Sequence, residues 1–113
     1  MNVVILRGNL GADAEEKQFD GRVVINFRMA VSERGFTAKD GTVIPEHTDW
    51  FNVVVNAGLG TKLGEWLKRG TNVLIRGKLR NRSYQDNAGV ARTVTEVIVE
   101  GKNVEIVTSK GMA

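Results

Sequence analysis

Asp49-Trp50-Phe51-Asn52-Val53-Val54-Val55-Asn56 alternates with a period of two, and the residues that follow do not. Successive side chains of a strand point to opposite faces, so Phe51, Val53 and Val55 share an apolar face while Trp50, Asn52 and Val54 share the other. Leu59, Leu63, Trp66 and Leu67 then fall at i, i+4, i+7 and i+8, the stripe of a short helix. Lys68 and Arg69 suit the last turn of that helix and Gly70 its C′ position. Period two returns at Val73 and holds to Arg82. Strand, helix and strand in this order organise the rest of the chain.

Working outward, Val3–Leu10 and Arg22–Arg34 read as two earlier strands. In the second, Val23, Ile25, Phe27, Met29 and Val31 form a core face, and Arg22, Asn26, Arg28, Ser32 and Arg34 a wet, basic one. Asp20-Gly21 is a turn signal ahead of it. Gly35 to His47, around Lys39-Asp40-Gly41-Thr42, reads as a long hairpin loop, and Asp13, Glu15 and Glu16 as a solvated acidic loop. Asp86-Asn87-Ala88-Gly89 is a turn before a fifth strand, Ala91 to about Val107, with a break near Gly101. Three strands, a helix and two strands is the order of the OB-fold, a five-stranded Greek-key barrel with its helix between strands three and four. A mixed α+β sandwich of the same elements is the alternative.

The first strand carries apolar residues on both faces, Val3 and Ile5 on one, Val4 and Leu6 on the other. In a one-layer barrel the outer pair needs a cover, either another subunit or the chain's own loops and helix.

Composition sets the bounds. The chain has 113 residues, 42% of them hydrophobic, enough for one domain with a core. No cysteine is present, so disulfides and thiolate metal sites are excluded. No apolar run approaches the roughly 18 residues of a membrane span, and the start lacks a basic n-region, so a cytoplasmic, non-membrane protein is expected. His47 is the single histidine; no metal-ligand spacing, phosphate-cradling GxxxxGK[ST] loop or catalytic cluster occurs. Neither an enzyme nor a cofactor is expected.

Net charge is +3, a weak signal by itself; the placement of the basic residues is more informative. Arg76, Lys78, Arg80 and Arg82 recur every second residue, on one strand face, and Tyr84 continues the row. Four like charges in a row repel one another, and a phosphate backbone relieves that cost. Bases of a single strand stack on exposed aromatics. Trp50 points away from the core face, Tyr84 lies in the basic row and Phe36 in a polar loop. Trp66, Phe27 and Phe51 sit at core spacings, and Phe19, beside Asp20-Gly21, is assigned to neither role. Arg28 extends the basic track, with Arg7 as a further member of uncertain parity.

Asn2-Val3-Val4-Ile5-Leu6-Arg7-Gly8-Asn9-Leu10-Gly11 resembles the first strand of bacterial and phage single-stranded DNA-binding proteins. Asn26-Phe27 through Ser32-Glu33, Thr48-Asp49-Trp50, Leu67-Lys68-Arg69-Gly70, Val73 through Arg82 and Thr93 to Val99 continue the likeness in order over residues 1–107. The resemblance implies an OB-fold, a homotetramer or a dimer, and sequence-tolerant wrapping of single-stranded DNA in replication, recombination and repair. It implies stacking by Trp50 and Tyr84. A third aromatic position falls at Gly35, where Phe36 substitutes from the next residue, and a fourth at Asn56, where the stacking site is lost. Phe51 stands where a polar residue is common, so subunit contacts there are expected to differ. Residues 108–113 read as a short tail without the acidic recruitment motif of bacterial relatives, either because the piece ends early or because the protein is a tail-less version. A primosomal-type OB adaptor that binds nucleic acid weakly is the alternative function, and stacking with phosphate contacts does not distinguish DNA from RNA.

Overall fold

The computed structural model describes residues 1–108. Its strands are β1 (Val4–Leu10), β2 (Glu15–Phe19), β3 (Arg22–Glu33), β4 (Phe36–Thr37), β5 (Val43–Ile44), β6 (His47–Gly58), β7 (Asn72–Gln85) and β8 (Ala91–Thr108), with the one-turn helix α1 (Leu63–Trp66) between β6 and β7. One sheet runs β1-β7-β8-β6-β3-β2, and β1 also pairs with β3. That second pairing, Asn9 with Ala30 and Leu10 with Met29, closes five strands into a barrel. The β6–β8 pairing is parallel and the others are antiparallel. This is the OB-fold, and closure removes the sandwich alternative.

Each inward row follows from the alternation. Val23, Ile25, Phe27 and Met29 on β3, Val53 and Val55 on β6, Val73 and Ile75 on β7, and Val97 and Val99 on β8 are all buried. Leu10 and Leu67 complete the core. Burying one such side chain contributes about 1.5–3 kcal/mol. On β8, Val99 pairs with Gly77 but the next pairing to β7 is Val104 with Ile75, so Glu100–Asn103 leave the β7–β8 ladder, Glu100 staying paired with Asn56 of β6. The break expected near Gly101 lies inside this excursion.

Four expectations need correction. Glu15 and Glu16 lie on β2, not in a loop. Every residue of that strand is exposed, so it carries no apolar alternation, and only its pairing to β3 defines it. The Gly35–His47 loop contains the β4–β5 hairpin. The helix is a single turn with no basic residue in it, and Gly70, at φ +86°, sits instead in a turn that the Thr71 N–H closes onto the Lys68 carbonyl. Trp66 is 42% exposed rather than core, and Leu59 is exposed too. One turn cannot sustain a stripe from i to i+8. Leu67, just past it, turns inward alone as the barrel's plug, held where its carbonyl accepts from the Ala14 N–H.

The two-residue Asp20-Gly21 loop has φ of 49° and 72°, the left-handed pair of a type I′ hairpin, and it places Phe19 directly opposite Arg22. The Asp86–Gly89 turn also forms as expected, its Gly89 N–H donating to the Asp86 carbonyl. The radius of gyration, 16.5 Å, exceeds the roughly 13 Å of an ordinary 100-residue domain. Exposed residues run along β7 and β8 on both sides of their turn, as expected of a hairpin that leaves the barrel. Leu79, level with core residues by parity, is exposed for that reason. Residues 109–113, most of the expected tail, lie outside the described residues.

Candidate nucleic-acid interface

The outer face of the sheet is set by the same parity that fills the barrel. Along β6 it presents Trp50, Asn52, Val54 and Asn56; along β3, Arg28, Asn26, Val24 and Arg22 lie beside them in register. An open groove of about 610 Å³ crosses this face, floored by Asn26, Arg28, Trp50, Asn52 and Val54. Gly11 to Asp13 with Glu15 line it on one side, and Arg82, Val94 and Glu96 on the other.

Trp50 is 50% exposed at the head of this groove. The Arg28 guanidinium lies 5.1 Å from its ring centre. Gly11 abuts the ring edge so closely that a Cβ there would stand 2.5 Å from Trp50 Cζ3. The glycine is therefore a requirement of the Trp50 position, a role the sequence does not reveal because Gly11 and Trp50 are distant in the chain.

The basic row is on this outer face, but its members have different neighbours. Arg82 donates from Nε to Glu96 Oε1 at 3.0 Å and lies over the Tyr84 ring at 5.8 Å. The hydrogen bond that Arg82 donates to Glu96, followed by the charge of that carboxylate, pushes the Arg82 pKa up. Glu96 was not anticipated; its carboxylate is only 12% exposed, held on the groove wall. Arg80 pairs across the ladder with Glu96, Lys78 with Ile98, and Tyr84 with Arg92. Arg76 lies at the other end of the row, next to Ile5 of β1. Among the described residues Arg28, Arg76, Lys78 and Arg80 make no ion pair.

Phe36 is 61% exposed, on the separate β4–β5 sheet and outside the groove lining. Arg7 is tied elsewhere, its Nε donating to Asn72 Oδ1 at 3.0 Å. Thus Trp50, Arg28 and Arg82 converge on the groove, with Tyr84 attached through Arg82. Lys78 and Arg80 flank it, and Arg76 and Phe36 stand apart.

The face opposite Val4 and Leu6 on β1 is bare. Val3 is exposed and Ile5 is 62% exposed, and no described loop or helix covers them.

The model of the single-strand binding protein family matches residues 1–107. The chain belongs to this family. The single-stranded DNA-binding protein of Bacteroides thetaiotaomicron is 40% identical over 112 residues, covering 98% of this chain and 68% of its own. That of Rhizobium meliloti is 41% identical over 105 residues, covering 91% of this chain and 60% of its own. The chain thus spans roughly two thirds of the length of these relatives. A solved structure described as a Plasmodium falciparum SSB complex with ssDNA matches with a TM-score of 0.77 at 23% identity, over 97% of this chain and 96% of that one. At that identity the likeness shows the fold. No helix among the described residues of this family member is long and apolar enough to cross a membrane.

Proposed function

We propose that the protein binds single-stranded DNA on the outer face of its barrel, without sequence selection and without catalysis, and protects it during replication, recombination and repair in the cytoplasm. The observation that carries this reading is the half-exposed Trp50 in an open groove beside Arg28 and Arg80, which make no ion pair among the described residues, inside a chain of the single-strand binding protein family. Bases stack on Trp50 and Tyr84, and the backbone follows Arg28, Lys78 and Arg80, with Arg76 at the far end. Arg82 already shares its charge with Glu96, so its part is to hold Tyr84 more than to neutralise the backbone. Phe36 acts from its own hairpin, as a flank of the site. The uncovered Val3 and Ile5 support self-association through β1 toward a homotetramer.

Titration with oligo-dT tests the reading through quenching of Trp fluorescence. Affinity is expected to fall with salt by about 0.7 log units per log unit of salt for each phosphate neutralised. Trp50→Ala is expected to weaken binding by about 1–3 kcal/mol with an unchanged salt slope. Arg80→Ala is expected to flatten that slope. Equal competition by duplex DNA, or identical slopes in both variants, would refute the stacking assignment. Light scattering on Ile5→Asp tests the assembly: a mass equal to that of the unmodified protein rules out the β1 interface.

A further inference from the structure

A second groove, of about 690 Å³, lies farther along the same face, lined by Arg22, Asn56, Gly58, Thr61, Glu100 and Lys102 among others. It lies where the β6 outer row reaches Asn56, the position at which the resemblance implied a lost stacking residue. Phe19 stands beside it. The type I′ turn makes Phe19 and Arg22 a cross-strand pair, and Arg22 pairs in turn with Gly58 of β6, so the three lie side by side across the sheet. Parity puts Phe19 on the outer face: Glu15, two positions back from Lys17 and four from Phe19, lines the Trp50 groove. The Phe19 ring is 47% exposed, and the Arg22 guanidinium lies 5.1 Å from its centre.

Neither residue serves the barrel. An exposed phenyl beneath an arginine with no ion pair among the described residues, beside a groove that also holds Lys102, has the two parts a single strand requires: a flat apolar surface and cations for its backbone. Lys17, on the same face of β2, adds a third cation, against the carboxylates of Asp20 and Glu100. The path is continuous. From Trp50 to Gly58 is eight residues of one strand, about 26 Å at roughly 3.3 Å each, and Phe19 is two strands to the side.

We propose that Phe19 and Arg22 form an additional stacking and phosphate site, for the stretch of single-stranded DNA that runs on from Trp50 past Asn56, and that it replaces the aromatic missing at Asn56. This inference rests on single-stranded DNA binding by the outer face. It implies that only strands long enough to leave the Trp50 groove feel Phe19.

The test compares oligo-dT of about 5 and about 20 nucleotides, one near the lower limit of an OB-fold site and one beyond its upper limit. Phe19→Ala is expected to weaken the long oligonucleotide about fivefold, at the low end of what one stacked base provides, and to leave the short one unchanged. Arg22→Ala is expected to lower the salt slope for the long one by about 0.7. Phe19→Tyr, which keeps the ring, is expected to bind as the unmodified protein does; if Phe19→Ala fails to fold, the photocrosslink on the unmodified protein decides the matter. In parallel, a long oligonucleotide carrying 5-iododeoxyuridine is photocrosslinked and the tryptic peptides are mapped. Adducts are expected in Gln18–Arg22 as well as in the Trp50 peptide, Asp40–Lys62. Unmodified affinity of Phe19→Ala for the long strand, with adducts confined to Asp40–Lys62, overturns the second site while leaving the Trp50 groove intact. Failure of the unmodified protein to bind either length overturns the underlying reading instead.

Discussion

The two faces of β6 differ in what their side chains lack. Val53 and Val55 point inward, have no exposed surface to speak of, and are complete within the chain. Three residues before Val53, Trp50 points outward, half exposed, with a cation over its ring and a groove in front of it. The inner face obtains its stability from packing that is already satisfied. The outer face keeps aromatic surface in water, together with cations such as Arg28 and Arg80 that make no ion pair among the described residues, an arrangement that adds little to folding. The same strand thus serves stability on one side and recognition on the other. A substitution on one side should leave the other property nearly untouched.

The largest expected effect is on the inner side. Ile25→Ala removes a fully buried side chain and should cost about 2–5 kcal/mol, read as a lower urea midpoint at unchanged slope. The folded fraction should still bind oligo-dT with its original salt slope. A changed slope at full folding would break the separation of the faces.

Gly11→Ala comes next and sharpens the outer side. Its Cβ would collide with Trp50, and the half-exposed ring is the part free to move. Affinity should fall by roughly 1 kcal/mol, within the range of one lost stack, without changing the salt slope or the urea midpoint. The Trp emission should shift as the ring is displaced. Unaltered emission and affinity would show that Gly11 does not set the Trp50 position.

The smallest effect is at the β7–β8 turn. Asp86 accepts from the Val90 N–H at 3.0 Å and from Arg92 Nε at 3.0 Å. First the Val90 N–H and then Arg92 hold its carboxyl below the ordinary 3.8. A depressed carboxyl contributes stability that is present above the ordinary value and lost as pH falls through the lowered one. The turn should therefore stay ordered at pH values above 3.8 and loosen only below it. The Val90 amide shift, followed by NMR, reports this. A midpoint at or above the ordinary value would remove Asp86 as the clasp of the turn.

The readings that succeeded and those that did not differ in range. Trp50 outside and Val53 inside were legible because both follow from alternation within eight residues. The Asp20-Gly21 and Asp86–Gly89 turns were legible because left-handed geometry selects its residues locally. Glu96 on the groove wall was not legible: its partner Arg82 is 14 residues away, and nothing local marks the pair. β2 was missed because a fully exposed strand has no apolar face to alternate. Trp66 was misplaced because helical spacing was carried past the single turn that the chain forms.

In the strands whose alternation shows, the sequence by itself determined which face each residue takes, since the pleat makes that a matter of parity. It thereby determined a core, a wet basic face and an aromatic on that face. Only the tertiary structure decided which strands became neighbours, through the closure of β1 onto β3 and the parallel pairing of β6 with β8. That closure brings Gly11 against Trp50. The β7–β8 pairing sets Arg82 on Glu96, and the β3–β6 pairing adds Gly58 to the Phe19–Arg22 pair of the Asp20-Gly21 hairpin. Apart from that hairpin, such contacts depend on strand pairings, which a local period cannot encode.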